Sequence, residues 1–246
     1  NQKDIFRIIN IYILYTLCIF HRIAKGDQFM AINLRDKAYN AIKDKILTGR
    51  IGHSDFLNEG ELMKELDVSR TPIREALSRL EQEGLVSVLP KKGVLVKPLT
   101  VSDISQGFEV RTIIEPYIIE TYLKFIDKHE LLKIKALSQK LIIEPPDPTK
   151  FAKLDDHFHR VIASACPNVF IKTMLGKVFD QNIRVRIYSE KNLWERHIEA
   201  AKEHIELIDY ILDNKVNDAQ KAMVHHLITS KEIQMMALRD KQISAW

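Results

Sequence analysis

Apolar positions recur at helical spacing along most of this chain, with one short interruption. From Asn33 to Leu47 the stripe is Tyr39, Ile42, Ile46 and Leu47, and Gly49 and Gly52 mark its end. Asn58, with Glu61 three residues on, resembles a capping box that opens a short helix through Leu66, with Leu62, Met63 and Leu66 facing inward. Ser69 is placed to cap a third helix. Pro72 falls in its first turn, where a missing N–H is harmless, and Ile73, Ala76, Leu77 and Leu80 form its buried stripe. Gly84 stops it as the residue after the cap. The interruption follows: Val86–Leu89 and Val94–Lys97 are β-rich runs joined by the turn Pro90-Lys91-Lys92-Gly93. Helix, helix, turn, helix and hairpin, in that order, predict a winged helix-turn-helix over residues 30–100.

Beyond Lys97 nothing reads as a strand. Thr100 or Ser102 caps a helix running to about Phe125, with Ile104, Phe108, Arg111, Ile114, Ile118 and Tyr122 on one face. Pro116 lies inside it, and a kink or a split is expected there. Further helices are expected over Glu130–Leu141, Lys150–Ala165, Val169–Ser189, Leu193–Leu212 and Asp218–Leu238, with a stiff Pro-rich linker from Glu144 to Thr149. The fold class is therefore mainly α: an N-terminal winged helix-turn-helix with a small β-hairpin, then an all-helical bundle over residues 101–246.

Residues 1–29 do not share this pattern. Ile5–Phe20 is apolar but contains Arg7 and Asn10, and it is shorter than the roughly 20 residues a spanning helix needs. His21-Arg22 follows where a signal peptide would have a small-residue cleavage site. The expectation is a native start at Met30, with the apolar leader added upstream of it.

The formal net charge is +4, and residues 30–100 hold twelve Lys and Arg against ten Asp and Glu. Bulk basicity is thus no argument for a nucleic-acid partner; local placement of charge is. Arg70, Thr71 and Arg74 cluster at the N-terminus of the third helix on the face away from its apolar stripe. That is the end a recognition helix presents to the major groove, and its free N–H groups suit phosphate. Lys91, Lys92 and Gly93 form a basic tip suited to the DNA backbone or minor groove. Two cysteines, Cys18 and Cys166, make neither a disulfide framework nor a metal pattern, which fits a reducing cytoplasmic setting.

The runs Val68-Ser-Arg-Thr-Pro-Ile-Arg-Glu-Ala-Leu77, Leu80-Glu-Gln-Glu-Gly-Leu-Val86 and Pro90-Lys-Lys-Gly-Val94 resemble the signature of GntR-family transcription regulators. The resemblance implies that Ser69, Arg70, Thr71 and Arg74 contact operator DNA, with Lys92 and Gly93 at the wing. Two departures stand out. His53-Ser54 replaces a frequent Pro-Gly, and Gly60 replaces a frequent Arg of the second helix.

Nine histidines are present, and their placement separates them. Asp155 and His159 share a helix face with Phe151, Ile162 and Ala163, whereas His157 points away. His204 aligns with Ala201, Ile208 and Ile211, with His197 a weaker competitor seven residues earlier. His226 aligns with Ala219, Ala222, Met223, Ser230 and Ile233, and His225 falls on the polar side. Burying these groups without partners would be costly, and a divalent metal with mixed N and O ligands would satisfy them together.

Leu154-Asp155-x-x-Phe158-His159, Glu203-His204-x-x-Leu207-Ile208 and His226-Leu227 resemble the helical FCD domain of the FadR subgroup of that family. The resemblance implies a divalent metal, zinc foremost, held by Asp155, His159, His204 and His226, with an effector pocket above it. Four protein ligands on an octahedral ion would leave two positions for a carboxylate or hydroxy acid. Arg111, on an inward stripe, is either a carboxylate anchor or the partner of Glu115 in an internal salt bridge; Asn182 and Arg186 are weaker pocket candidates.

The expectation is a homodimeric, cytoplasmic, non-membrane regulator that binds double-stranded operator DNA and responds to a small organic acid. A metal sensor, with the ion itself as effector, is the alternative. An enzyme is disfavoured because no motif places a general base beside the cluster.

Overall fold

The computed structural model describes residues 34–143, 148–189 and 194–243. The apolar leader and most of the Pro-rich linker lie outside the described residues. Helix α1 covers 34–47. It is followed by β1 (Phe56–Leu57), α2 (Glu59–Leu66), α3 (Arg70–Gln82), β2 (Val86–Leu89) and β3 (Gly93–Val96).

Local chemistry sets the ends of these elements. Asn58 Oδ1 accepts from the N–H groups of Gly60 (2.9 Å) and Glu61 (3.3 Å), and its Nδ2 donates to Glu61 Oε1 (3.0 Å). The reciprocal arm of this cap is therefore a side chain–side chain bond. Ser69 occupies the cap position of α3 with extended backbone, but its hydroxyl makes no capping bond. At the other end, Gly84 takes φ +80°, its N–H donates to Glu81 O (2.9 Å), and the Leu85 N–H donates to Leu80 O (3.0 Å). This paired closure needs a left-handed residue where Gly84 stands.

The expected hairpin forms, with Val88 opposite Val94 and Leu89 opposite Gly93. A third strand, β1, arises in a stretch that reads as loop, and the sheet order is β1-β3-β2, antiparallel throughout. Two residues are too few to carry a periodic signal; pairing of Phe56 with Leu95 and of Leu57 with Val94 defines them.

The rest is helical: α4 (Val101–Tyr122), a 3₁₀ turn (Leu123–Phe125), α5 (Lys128–Ile143), α6 (Pro148–Ser164), α7 (Val169–Ser189), α8 (Trp194–Leu212) and α9 (Val216–Ile243). No strand follows Val96 among the described residues. Thr100 caps α4 in a full capping box with Asp103. The split expected at Pro116 does not occur: α4 runs through it uninterrupted. Pro116 is buried, its carbonyl accepts from Gln220 Nε2 (3.3 Å) on α9, and tertiary packing here outweighs the roughly 3 kcal/mol a helix-interior proline costs. Among the described residues no helix is long and apolar enough to cross a membrane.

Two large hydrophobic cores form among the described residues, beside a small cluster of Phe151, Ala200 and Ala201. One joins Ile42, Ile46, Leu62, Ile73, Leu80, Val86 and Val94; the other runs from Leu99 through Phe158, Ile208 and Met223 to Leu238. Between them lies α7. Its residues 177, 180, 181, 184 and 188 make one helical stripe, and that stripe faces the winged part. Lys177 Nζ donates to Gln82 O (3.5 Å), Gln181 Nε2 to Gly84 O (3.3 Å) and Arg184 Nη2 to Lys97 O (2.6 Å), while Tyr188 meets His53 edge-on at 4.1 Å.

Asp180, on the same stripe, is the hub of an ion-pair chain. Arg160 of α6 reaches Asp156 (2.7 Å) and Asp180 (2.8 Å); Asp180 reaches Lys43 of α1 (2.6 Å); Lys43 reaches Glu83 (2.8 Å) at the end of α3. The Asp180 side chain is 8% exposed, so these charges are only weakly screened. Asp180→Asn should destabilise the protein by about 1–2 kcal/mol, between the cost of breaking a surface pair and a buried one, and lower the thermal unfolding midpoint measured by circular dichroism.

Candidate functional site

Asp155 and His159 on α6, His204 on α8 and His226 on α9 converge, each offering one ligand atom, and those atoms all lie within 4.8 Å of one another. All four residues are at most 2% exposed. They meet because each occupies the apolar stripe of its own helix, and Phe158 packs its ring 4.3 Å from that of His204. His226 Nε2 lies 3.3 Å from His159 Nε2 and 3.2 Å from His204 Nε2, and His204 Nε2 lies 3.3 Å from Asp155 Oδ1.

Two of these histidines are held from behind by carboxylates. His159 Nδ1 is 2.5 Å from Glu115 Oε2, and His226 Nδ1 is 2.5 Å from Glu203 Oε2. Each glutamate is backed in turn by an arginine. Arg111 Nε donates to Glu115 Oε1 (2.6 Å), and Arg196 grips Glu203 with two bonds (2.7 and 2.9 Å). Burial alone would raise both glutamates. For Glu115, Arg111 and then His159 outweigh it; for Glu203, the bonds from His226 and Arg196 do. Each carboxyl is held at about 2.

Ionised glutamates accept only, so the proton sits on Nδ1 of both histidines and Nε2 carries a lone pair. The Nε2 lone pairs of His159 and His226 then face each other at 3.3 Å with no proton between them. Burial pushes His159 down to about 4 and His226 to about 3, so a proton does not fill the gap at neutral pH. Asp155 lies well below the ordinary aspartate range: burial opposes this, but Arg186 and the histidines outweigh it. Three imidazole nitrogens and one carboxylate around a shared space, with outer-shell carboxylates fixing the tautomers, fit a divalent transition-metal ion.

The other candidates fall in different places. Arg111 does pair with Glu115, and its Nη1 and Nη2 are buried without hydrogen-bond partners. Arg186 Nη1 reaches Asp155 Oδ1 at 2.8 Å, directly beside the cluster. Asn182 lines a hollow between α4 and α7 with Asp103 and Gly107. His197 is buried and stacks on Phe151 at 4.3 Å, outside the ligand set; His157 faces outward and pairs with Glu130 (2.9 Å).

A small hollow of about 10 Å³, room for about one water, lies beside Arg186 and is lined by Phe151, Arg186, Arg196, Ser230 and Gln234 among others. Phe151 and Ser230 each stand one helical turn from a ligand, Asp155 and His226 respectively. Glu203 and Arg196 escape sequence reasoning because Glu203 meets His226 from another helix; the only local signal is that Glu203 precedes His204.

At the other end of the molecule, Ser69, Arg70, Thr71 and Arg74 are exposed together at the start of α3, and Lys92 and Gly93 are exposed at the turn between β2 and β3. Arg74 Nε lies 3.3 Å from Glu59 Oε2. Arg79, further along α3, lies over the Tyr39 ring (3.6 Å) with its side chain half exposed.

A family model described as bacterial regulatory proteins, gntR family, matches residues 34–96, and one described as FCD domain matches residues 106–229. An uncharacterized HTH-type transcriptional regulator of Bacillus subtilis (strain 168) is 29% identical over 145 residues, spanning 58% of this chain and 65% of its own length. A second uncharacterized HTH-type regulator, from Agrobacterium vitis, is 30% identical over 145 residues, spanning 56% of this chain and 84% of its own. A solved structure described as a GntR transcriptional regulator from Rhodococcus sp. RHA1 superposes with a TM-score of 0.71 at 20% identity, covering 82% of this chain and 97% of that one, a likeness of fold.

The depressed histidines set a pH dependence for metal-free protein. Below the ordinary histidine value of 6.5, the unfolded chain takes up protons that folded His159 and His226 refuse until about 4 and 3. Stability is therefore present above 6.5 and is lost as pH falls through this window. Glu115 and Glu203, protonated more readily when unfolded, continue the fall toward pH 2. Chelator-stripped protein should lose about 2–4 kcal/mol between pH 7 and pH 5, read from denaturant midpoints.

Proposed function

Since the chain belongs to the gntR family of bacterial regulatory proteins and carries an FCD domain, we propose that its grip on operator DNA is set by a small carboxylate bound at a metal-containing pocket. Family membership makes it a DNA-binding transcriptional regulator and not an enzyme. Consistently, Glu115 and Glu203, the carboxylates nearest the cluster, are tied to histidine Nδ1 atoms and are not free to act as general bases.

One observation carries the effector reading: a buried three-histidine, one-aspartate set whose facing lone pairs call for a cation, with a small polar hollow beside Arg186. Asp155, His159, His204 and His226 would hold the ion, zinc in this reading, which would supply a dicationic anchor for an acid's carboxylate. Arg111, with two buried unpartnered nitrogens, and Arg186, beside Asp155, would complete that anchor.

Ser69, Arg70, Thr71 and Arg74 would enter the major groove, with Lys92 and Gly93 at the backbone or minor groove. The uncommitted Ser69 hydroxyl and the exposed guanidinium groups support this placement. The protein would act in the cytoplasm as a homodimer, residues 30–100 binding DNA and 101–246 binding effector and partner. Ile113 and Tyr117, exposed four apart on α4, are a candidate patch for the second copy. A dimer fixes the spacing of two recognition helices, and operator half-sites respond to that spacing.

Coupling would run through α7, which bears Arg186 at the pocket and Asp180, Gln181 and Arg184 against the winged part. A metal sensor is favoured by a different observation. Asp155 and His159 share α6 with Asp156 and Arg160, which lead through Asp180 to Lys43 without involving the hollow.

A thermal-shift screen of small carboxylates on metal-loaded protein tests the reading. A rise with metal plus an acid supports it, whereas a rise with metal alone and none with any acid favours the sensor. Asp155→Ala and His204→Ala should fold yet lose bound metal and the effector response; unchanged metal stoichiometry would remove the site assignment. Arg70→Ala and Arg74→Ala should each weaken operator binding by about 1–3 kcal/mol in gel shift with metal content intact, and unaltered binding would count against α3 as the reader.

A further inference from the structure

The three histidines of the cluster are not held alike. Glu115 stands behind Nδ1 of His159 and Glu203 behind Nδ1 of His226, each at 2.5 Å. Among the described residues no carboxylate stands behind Nδ1 of His204, whose polar contacts are made through Nε2. That nitrogen lies 3.2 Å from His226 Nε2, in hydrogen-bonding geometry, and 3.3 Å from Asp155 Oδ1.

The shared space otherwise contains only acceptors. The protons of His159 and His226 are spent on the two glutamates, so their Nε2 atoms accept and do not donate. Asp155, ionised and paired with Arg186 Nη1 at 2.8 Å, likewise only accepts. With the His204 proton on Nδ1, four acceptors would converge within 4.8 Å of one another without a donor among them. Buried acceptors left unpaired are costly, and the outer N–H would gain no carboxylate in exchange. The opposite tautomer supplies the missing donor: His204 Nε2–H donates to His226 Nε2 and lies beside Asp155 Oδ1. His159 Nε2 still lies 3.3 Å from His226 Nε2, so the site continues to call for a cation.

We infer that His204 is a tautomeric switch, carrying its proton on Nε2 in the metal-free protein and on Nδ1 once a cation takes the Nε2 lone pair. His159 and His226 keep Nδ1–H throughout. The His204 ring is neutral in both states: one N–H bond breaks at Nε2, one forms at Nδ1, and the proton passes through water, so the count of protons does not change. In the metal-free state His204 on α8 is tied to His226 on α9 by a hydrogen bond, and loading replaces that bond with coordination. The two states of the centre therefore differ in a defined contact between helices, which is what a reader of occupancy requires. This inference rests on the proposed reading of these residues as metal ligands.

The test is heteronuclear NMR of isotope-labelled histidine rings in the full chain at neutral pH, metal-free and after zinc loading. Long-range nitrogen–proton correlations distinguish the two neutral tautomers from each other and from imidazolium. The His204 signals are recognised by their proximity to the Phe158 ring, 4.3 Å away, and by their loss in His204→Gln. Metal-free protein should show His204 as the Nε2–H tautomer with His159 and His226 as Nδ1–H, and zinc should convert His204 alone, leaving all three as Nδ1–H. A metal-free His204 in the Nδ1–H or imidazolium form overturns the switch, as does zinc binding that leaves the His204 tautomer unchanged; both leave the metal reading standing. A protein that takes up no zinc overturns the metal reading and the switch with it.

Discussion

Three imidazole nitrogens pressed together in the middle of a helical bundle are the constraint on which the rest of this structure depends. Glu115 and Glu203 fix the protons of His159 and His226 on the outer nitrogens, and Arg111 and Arg196 keep those glutamates ionised. The inner lone pairs therefore face one another across 3.3 Å between side chains at most 1% exposed. Such an arrangement repels itself until a cation is shared, and burial denies that role to a proton. The same two Arg–Glu–His lines orient the donors before any ligand arrives, which is how an outer shell tunes a metal site.

Position makes the centre consequential. Its aspartate and one histidine lie on α6, and the neighbouring face of α6 is tied by Arg160 to Asp180 on α7. That helix supports the winged part along one stripe and at the same time extends Arg186 into the centre. Asp180 hands the connection to Lys43 and then to Glu83, at the end of α3. Packed helices move as bodies, so a change at Arg186 or in α6 bears on the orientation of α3 more directly than on any loop.

Much of this was legible in the amino-acid order. Asp155, His159, His204 and His226 each sit among apolar residues at helical spacing, so their inward aim could be read one helix at a time. The start of α3 after Ser69, its Arg70–Arg74 face and the hairpin after Gly84 follow from local sequence signals, although the Ser69 hydroxyl makes no capping bond. What escaped was relational. Glu203 supports a histidine on another helix, and no periodicity within α8 reports that. Lys177, Gln181 and Arg184 meet backbone carbonyls of the winged part, a contact between distant stretches that no local pattern reports. β1 is too short to show a period. Of the kink or split expected at Pro116, the split is absent, because α4 is held along α9 through the proline.

The most direct test of the central claim, that a buried metal centre governs the grip on DNA, is fluorescence anisotropy on an operator selected from a random-sequence pool. Zinc-loaded and chelator-stripped protein are titrated with and without a mixture of small carboxylates. Zinc-loaded protein should change its DNA affinity on adding the acids, and stripped protein should not. An affinity indifferent to zinc and to every acid would contradict the account.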